Sequence, residues 1–363
     1  MMRRLRVIHC GTGVAGKQAL RAILAHPALE LVGLLVHSAE AAGRNAAELA
    51  GLDVATNVRA TNDFDAILAL QADAVCYMLL LPDIAQIGAL LASGKNVVTT
   101  AGQIVPGWHS AQNAETLSSA CAKGNSSFYV TGINPGWVDE ILPLTMSVLC
   151  RRIEQVHIRE YADCSQYPAP HILSVMGFGS TEDDVRNGKL PDLAVMREFF
   201  QQSVVALAHG LDLELDDVIE SRDFVYSNSA YDIKAGHIPA NSIAGQRWRW
   251  VGVKDGCERI VQETFWITAF DLAPGWPRRG EVDNDTQWRV TIEGTPSLRC
   301  TFEPRYTFTE RALAFAPDYN PSGLATAMAA VNSLAPLCAA KAGLLTSVDL
   351  ALPRCGQLAE PAR

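Results

Sequence analysis

The chain has 363 residues, 48% of them hydrophobic and 19% charged, which is enough apolar material for the cores of about two domains. It carries 30 Lys and Arg against 39 Asp and Glu, a formal net charge of −9 at pH 7. This composition rules out a chain that is disordered over most of its length, and it argues against a nucleic-acid-binding protein, which needs a concentrated positive face. A local pocket could still bind an anionic cofactor or substrate.

The first 36 residues predict a strand, a glycine-rich turn, a helix and a second strand. The strands are expected at 5–10 and 29–36, with the helix at 17–26. The glycines of such a turn permit a sharp bend and close approach of the backbone to a pyrophosphate, which the free N–H groups of the helix then meet. We therefore interpret the turn as a dinucleotide-binding loop; the alternative is a tight structural turn. Its residues are Gly11, Thr12, Gly13, Val14, Ala15 and Gly16.

Strands and helices continue to alternate up to residue 131. Because strands that alternate with helices form parallel sheets, this region predicts an α/β fold with a doubly wound parallel sheet of the Rossmann type. Helices are expected at 46–49, 64–70, 83–93 and 115–123, and strands at 74–81, 96–100 and 127–131.

After a turn at 132–136 the helices become sparser, which predicts a second, α+β domain with an antiparallel or mixed sheet. The expected organisation is a dinucleotide-binding domain at 1–135, a substrate domain at 136–320, and a C-terminal segment at 321–363 whose apolar helix returns to the first domain. Strands are expected at 155–162, 248–253, 259–267 and 288–292, and helices at 193–208 and 324–340.

The cysteine and histidine spacings predict neither disulfides nor a metal site. The nine cysteines form no CxxC pair, and the eight histidines show no HxxxH spacing. The odd count and the apolar setting of residues such as Cys76 are typical of reduced thiols in a cytoplasmic protein. The longest apolar run, 74–81, is much shorter than the roughly 20 residues of a membrane helix, and the basic start is followed by a strand rather than a signal-peptide core. A cytoplasmic protein without a membrane partner is expected.

The end of the second strand bears on the choice of nicotinamide cofactor. A fold that prefers NAD carries an Asp or Glu there, which binds the ribose 2′-hydroxyl. Here the strand ends at His37 and Ser38, and Arg44 follows. These side chains can donate hydrogen bonds to a 2′-phosphate, which a carboxylate would repel. NADP(H) is therefore the favoured cofactor; in the alternative, Arg44 is a solvated loop charge, Glu40 binds the ribose and NAD(H) is used.

Further candidate cofactor ligands follow the strands, since ligands bind beyond the carboxyl ends of strands in sheets of this type. They are Leu79, Leu80, Thr100, Ala101 and Asn134. The two leucines could equally be core residues, and Asn134 could simply serve its turn.

The candidate substrate and proton-transfer residues come next in the chain. Trp137, Tyr161 and Tyr167 are candidates for lining the substrate pocket. Asp163 follows an apolar strand, where burial would tune the pKa of a carboxyl group for acid–base catalysis. His171 could donate a proton near neutral pH. The structural alternatives are a core role for Trp137, a loop carboxylate that caps a backbone N–H for Asp163 and a purely structural histidine.

Two sets of segments resemble known families. Residues 7–20, 38–52 and 96–100 are similar to the N-terminal domain of dihydrodipicolinate reductase. The rest of the chain resembles the 2,4-diaminopentanoate dehydrogenase-like proteins, which include native NAD(P)H-dependent amine dehydrogenases. The segments that carry this second resemblance are 132–144, which begins with GINPG, 157–167, 176–185, 242–256, 290–298 and 325–350.

The resemblance implies reductive amination of a small carbonyl compound, or the reverse deamination, with ammonia as a further substrate and hydride transfer at the nicotinamide C4. It also implies a homodimer formed largely through the second domain, where the aromatic strands after residue 240 predict an apolar interface. In the amine dehydrogenases, a Glu that handles the ammonia proton follows the strand corresponding to 96–100. Gln103 stands at about that position here, and an amide does not titrate. Reduction of a carbonyl, or of an imine already formed, is therefore the alternative reaction.

Two other functions stay open. A non-catalytic NADP-binding sensor would keep the glycine turn and tolerate Gln103. A dihydrodipicolinate reductase would be shorter and would carry paired His and Lys residues for a dicarboxylate, of which the sequence has no clean run.

Overall fold

The computed structural model describes residues 3–54, 56–102, 104, 111–167, 170–191, 193–282, 286–306 and 320–356, without the side chains of 171, 172 and 194–196. The chain divides into two compact units, Met1–Trp137 with Ala312–Arg363, and Val138–Arg311. The strands are β1 (Leu5–Cys10), β2 (Leu29–Leu35), β3 (Ala60–Thr61), β4 (Ala74–Tyr77), β5 (Asn96–Thr99), β6 (Ser127–Val130), β7 (Arg152–Asp163), β8 (Asp217–Tyr226), β9 (Tyr231–Ile233), β10 (Gly236–Ile238), β11 (Ile243–Lys254), β12 (Cys257–Ile267), β13 (Thr286–Thr295), β14 (Leu298–Phe302) and β15 (Gly343–Leu345). The helices are α1 (Val14–Ala25), α2 (Ala46–Ala50), α3 (Phe64–Leu68), α4 (Ile84–Ala92), α5 (Ala111–Gly124), α6 (Leu142–Ser147), α7 (Pro170–Met176), α8 (Glu182–Arg186), α9 (Ala194–Gly210) and α10 (Pro321–Ala339).

The first unit is built on a parallel sheet. Its seven strands within the described ranges have the order β15-β6-β5-β4-β1-β2-β3, and every pair of neighbours runs parallel. Apolar runs such as β4 are buried at each residue because helices cover both faces of such a sheet. The strand order reverses between β1 and β4, where ligands of doubly wound sheets bind. The predicted fold class is confirmed.

Helices lie on both faces of this sheet. α1, α2 and α10 pack against one face, in a core that includes Leu20 and Leu334. α3, α4 and α5 pack against the other face, in a core that includes Leu91 and Leu117. α10 is long and apolar enough to cross a membrane, but it packs here against α1 and against β4, β5 and β6.

The second unit is built on a mixed sheet, as its sequence predicts. In the part of the chain that the structure describes, six strands have the order β14-β13-β7-β12-β11-β8. β7 and β12 pair in parallel, and the other neighbours pair antiparallel. α9 packs on one face of this sheet, where the ring of Phe200 stacks on Trp250 with 4.5 Å between the centroids. Trp248, Trp250 and Trp266 are therefore buried within this unit.

Candidate active site

The glycine turn between β1 and α1 shows which of its glycines the fold requires. Gly11 has a φ of +96°, and a Cβ atom there would lie 2.7 Å from the carbonyl oxygen of Met78. A Cβ atom on Gly16 would lie 2.5 Å from the carbonyl oxygen of Gly11. At Gly13, by contrast, no described atom lies within 4 Å of the Cβ position. The fold therefore requires Gly11 and Gly16, whereas Gly13 leaves open space.

This open space lies at the N-terminus of α1. Gly13 is the N-cap residue of the helix, and its N-terminus has no side-chain cap among the described residues. Thr12 precedes the cap and is partly exposed, and Val14 and Ala15 follow it. Uncapped N–H groups at a helix start, together with the positive end of the helix dipole, attract phosphate. This cradle fits the pyrophosphate of a dinucleotide.

Apolar side chains lie around the glycine turn where β4 ends. The Cδ2 atom of Leu79 lies 3.1 Å from the Cβ position of Gly11. Leu80 is 90% exposed and Val14 is 64% exposed, although both are large hydrophobic residues. Leu80 is therefore not a core residue, and its side chain is available to a bound ring.

The end of β5 lies beside β4 in the same sheet. The hydroxyl of Thr100 donates to Sδ of Met78 at 3.6 Å, and the N–H of Ala101 donates to the hydroxyl of Thr99 at 3.1 Å. Thr100 is partly exposed and Ala101 is buried. Gln103, the predicted counterpart of the catalytic Glu, lies outside the described residues.

The turn after β6 contains Asn134, which has extended backbone with a φ of −150°. The turn closes through a 2.9 Å hydrogen bond from the N–H of Trp137 to the carbonyl oxygen of Gly132. Gly136 has a φ of +131°, and its Cβ position lies 3.1 Å from the backbone of Thr131, so this position also favours glycine. Asn134 and Trp137 are both partly exposed.

The loop after β2 carries the residues expected to select the cofactor. His37 and Ser38 are exposed, and hydrogen bonds from its own backbone and from Ser38 lower the pKa of Glu40. Nη2 of Arg44 lies 2.8 Å from Oε1 of Glu48, and about half of each side chain is exposed. A carboxylate and an arginine are thus both present where the ribose of a dinucleotide would lie.

A second arginine, which the sequence analysis did not single out, reaches the same loop. Nη1 of Arg59 donates to the carbonyl oxygen of Gly43 at 2.9 Å, and the N–H of Ala60 donates to the carbonyl oxygen of Arg44 at 2.9 Å. Arg59 is exposed and forms no ion pair with any described carboxylate. Its charge is therefore uncompensated, whereas that of Arg44 is paired.

In the second unit, the residues at the end of β7 have different partners. Oδ1 of Asp163 accepts the N–H of Ser165 at 2.9 Å and caps a short 3₁₀ turn, which is the structural alternative for this residue. The ring of Tyr161 stacks on Phe265 at 5.5 Å, and the guanidinium of Arg289 lies 5.7 Å from the Tyr161 centroid.

Tyr167 lies in other surroundings. Burial raises the pKa of Tyr167 well above its usual value, and the neighbouring Cys164 and Glu160 raise it further, so the phenol keeps its proton. Tyr161 and Tyr167 therefore have different contact partners in the structure. His171 lies in α7, and its side chain is outside the described part.

Four buried carboxylates among the described residues of this unit were missed by the sequence analysis: Asp139, Glu140, Glu160 and Glu263. Glu160 is 9% exposed and accepts the indole N–H groups of Trp266 at 2.9 Å and Trp288 at 3.0 Å. Asp139 and Glu140, which follow the turn at 132–136, are 1% and 2% exposed. In the sequence, each of these carboxylates stands among apolar and aromatic residues. The same pattern is common in exposed strands and helices, so it does not identify a buried carboxylate.

The strongest charge cluster of this unit centres on Glu263, a fully buried residue of β12. Oε2 lies 3.0 Å from Nε2 of His157 and 2.6 Å from Nε of Arg159, both on β7, and Oε1 lies 2.6 Å from Nη2 of Arg247 on β11. Burial alone would raise the pKa of Glu263, but hydrogen bonds from His157 and Arg159 and the charges of His157 and Arg247 lower it to about 2. The cluster connects three neighbouring strands, and we therefore interpret it as a set of contacts that stabilises the sheet.

These observations favour a dinucleotide site in the first unit. The glycine turn joins β1 to the uncapped start of α1, and Leu79, which follows β4, lies against Gly11 of this turn. The described side chains contain no group of three or more His, Cys, Asp or Glu residues that could hold a metal ion.

Known proteins are similar to this chain over nearly its whole length. Residues 137–360 match the family described as the 2,4-diaminopentanoate dehydrogenase C-terminal domain. An amine dehydrogenase from Streptomyces virginiae is 31% identical in an alignment of 362 positions that covers 96% of this chain and 97% of that protein. A 2,4-diaminopentanoate dehydrogenase from Acetoanaerobium sticklandii is 22% identical over 261 residues, which are 71% of this chain and 67% of that protein.

The fold is also similar to a solved structure. An amine dehydrogenase from Mycobacterium smegmatis matches with a TM-score of 0.74, over 97% of each chain and at 17% identity. At this identity the likeness concerns the arrangement of helices and strands in the two proteins.

Proposed function

Because this chain belongs to the 2,4-diaminopentanoate dehydrogenase family and is an NAD(P)-dependent oxidoreductase, we propose that it catalyses hydride transfer between NADP(H) and a small carbonyl, imine or amine compound. A bound nicotinamide would supply or accept the hydride at C4. The chain itself would bind and orient the reactants and move the protons.

The main support for this proposal is the geometry of the glycine turn. The absence of side chains at Gly11 and Gly16 lets the two ends of the turn approach each other closely. The open space at Gly13 would give a pyrophosphate access to the start of α1. Leu79 and Leu80 would line the bound cofactor. We propose the same for Thr100, Ala101 and Asn134, which follow the neighbouring strands.

The proton-transfer step is proposed to depend on a small set of groups. Gln103 can hydrogen-bond and orient a reactant, but it cannot exchange a proton, so Asp163 and His171 are the remaining proposed proton carriers. Trp137 and Tyr167 are proposed to line the substrate pocket. Tyr161 is a weaker candidate because its ring already stacks on Phe265.

The test is the initial rate of NADPH consumption with a panel of small aldehydes and ketones, with and without ammonium. We expect consumption that depends on the carbonyl compound. Tight NADPH binding without consumption for any compound, in either condition, would instead support a non-catalytic sensor.

Arg44→Ala is expected to weaken NADP(H) binding by about 1–3 kcal/mol, the range of a hydrogen bond to a charged group, and to leave NAD(H) binding nearly unchanged. The pair with Glu48 is exposed, so separating it costs little and the guanidinium can turn to a 2′-phosphate. Arg59→Ala is expected to act in the same direction, because Arg59 contacts the same loop. Calorimetric titration with both cofactors measures these effects.

Glu48→Gln is the matched control for Arg44→Ala. It removes the competing carboxylate and keeps the guanidinium, so NADP(H) should bind at least as tightly as to the wild type. Equal wild-type affinities for NADP(H) and NAD(H), or unchanged NADP(H) binding by Arg44→Ala, would contradict the proposed preference. In that case Glu40 would be the better candidate for the ribose ligand.

We also propose a homodimer formed through the sheet of the second unit. The tryptophans of β11 and β12 are buried in part against α9, so they cannot supply the apolar interface expected from the sequence. Side chains alternate along a strand, so Arg247 lies on the opposite face beside the ring of Phe265, and an interface there would combine charged and aromatic side chains. Analytical ultracentrifugation at micromolar concentration is expected to give a dimer; a monomer would contradict the proposal.

A further inference from the structure

His9 on β1 lies next to the glycine turn and is fully buried. Its Nε2 atom lies 2.7 Å from the carbonyl oxygen of Gly11. Because a carbonyl can only accept, Nε2 carries the hydrogen. Nδ1 is buried as well and has no hydrogen-bond partner among the residues that the structure describes. A second N–H at Nδ1 would lack an acceptor, so the ring is the neutral Nε2–H tautomer.

Burial supports the same assignment. It lowers the pKa of His9 to about 4, although the backbone of Gly11 and Gly16 partly opposes this shift. The imidazole is therefore uncharged at neutral pH and acts as a hydrogen-bond donor to one carbonyl group.

The carbonyl group of Gly11 lies where the backbone of the turn comes closest to Gly16 at the start of α1. The oxygen of Gly11 is 2.5 Å from the Cβ position of Gly16, and Nε2 of His9 is 3.7 Å from the same position. One carbonyl thus lies between the imidazole and the first turn of α1. Without the imidazole N–H, this buried oxygen would lose its donor, and the turn would have to rearrange to find another.

We propose that His9 is a positioning residue for the dinucleotide: its Nε2–H holds the Gly11 carbonyl and thereby keeps the turn in the conformation that receives the pyrophosphate. The inference rests on the proposed binding of a nicotinamide cofactor at this turn. Because His9 is fully buried, it acts through Gly11 and does not touch the cofactor. Its loss should therefore raise the Kd and the KM for the cofactor while kcat at saturating cofactor stays nearly constant.

The experiment compares two replacements of His9. His9→Gln keeps an N–H donor, whereas His9→Leu keeps much of the volume without a donor. We expect His9→Leu to raise the Kd for NADPH, measured by fluorescence titration, by about tenfold, and His9→Gln to remain within about threefold of the wild type. His9→Met, which also lacks a donor, serves the same comparison if His9→Leu does not fold.

Cys76→Ala is the control for a general loss of packing. Cys76 is the neighbour of His9 in the register between β1 and β4 and is fully buried, but it is not itself a residue of the glycine turn and donates no hydrogen bond to Gly11 in the described structure. We expect this variant to have a lower Tm and an unchanged Kd for NADPH.

Two results would overturn the inference alone: a wild-type Kd in the donor-free variants, or equal weakening by His9→Gln and His9→Leu. A wild-type protein that binds neither NADPH nor NADH would overturn the proposed function, and the inference with it.

Discussion

Replacing Glu263 by Gln is expected to lower the free energy of unfolding by about 3 kcal/mol at neutral pH. The carboxylate is fully buried and is the shared partner of His157, Arg159 and Arg247. An amide fills the same space but removes the counter-charge of the guanidinium groups. The pKa of about 2 in the folded protein, against 4.5 ordinarily, supports this magnitude, since one pKa unit corresponds to about 1.4 kcal/mol.

The contribution of Glu263 depends on pH in one direction. Folding lowers its pKa, so the stabilisation is complete above a pH of about 4.5 and is lost as the pH falls towards about 2. Urea unfolding of wild type and variant at a series of pH values measures this: the difference between them should shrink in acid.

Glu258→Gln on the same strand is the control for this experiment. Glu258 is 46% exposed, and its pair with Arg249 is worth less than about 1 kcal/mol. A Glu263→Gln variant as stable as the wild type at neutral pH, or a stability difference that grows in acid, would show that the cluster does not stabilise the sheet.

Replacing Gln103 by Glu is expected to raise ammonium-dependent NADPH consumption at least about tenfold, which is less than the full contribution of general acid–base catalysis. Reductive amination needs ammonia, which is mostly ammonium at neutral pH, to lose a proton before it attacks the carbonyl. Later the carbinolamine must lose water. A carboxylate can serve the first step as base and the second, once protonated, as acid, whereas an amide serves neither.

The measurement is the initial rate against ammonium concentration, with one ketone or aldehyde held saturating. Gln112→Glu, which makes the same change at an exposed position of α5, is the control and should give no gain. The affinity for NADPH should stay nearly unchanged in both variants. Efficient amination by the wild type, or no gain in Gln103→Glu together with an experimental structure that places residue 103 away from C4, would show that this position is wrongly matched to the family's Glu.

Local patterns in the sequence by themselves determined the fold class and the glycine turn. The turn has a fixed spacing, and the buried strands of the first unit are short apolar runs between helices, so neighbouring residues encode both features. The segments around GINPG and near the C-terminus likewise indicated the family that the comparisons established.

Only the tertiary structure decided which distant side chains meet. The edge strand β8 carries charged residues at 217, 220, 222 and 223, and β15 has only three residues, so neither has an apolar run that predicts it. Glu263 lies more than a hundred residues from His157, and a carboxylate in an alternating strand is predicted to face water. Its burial is stable because long-range strand pairing brings three arginines, Arg159, Arg247 and Arg249, from neighbouring strands to its charge, which no local pattern encodes.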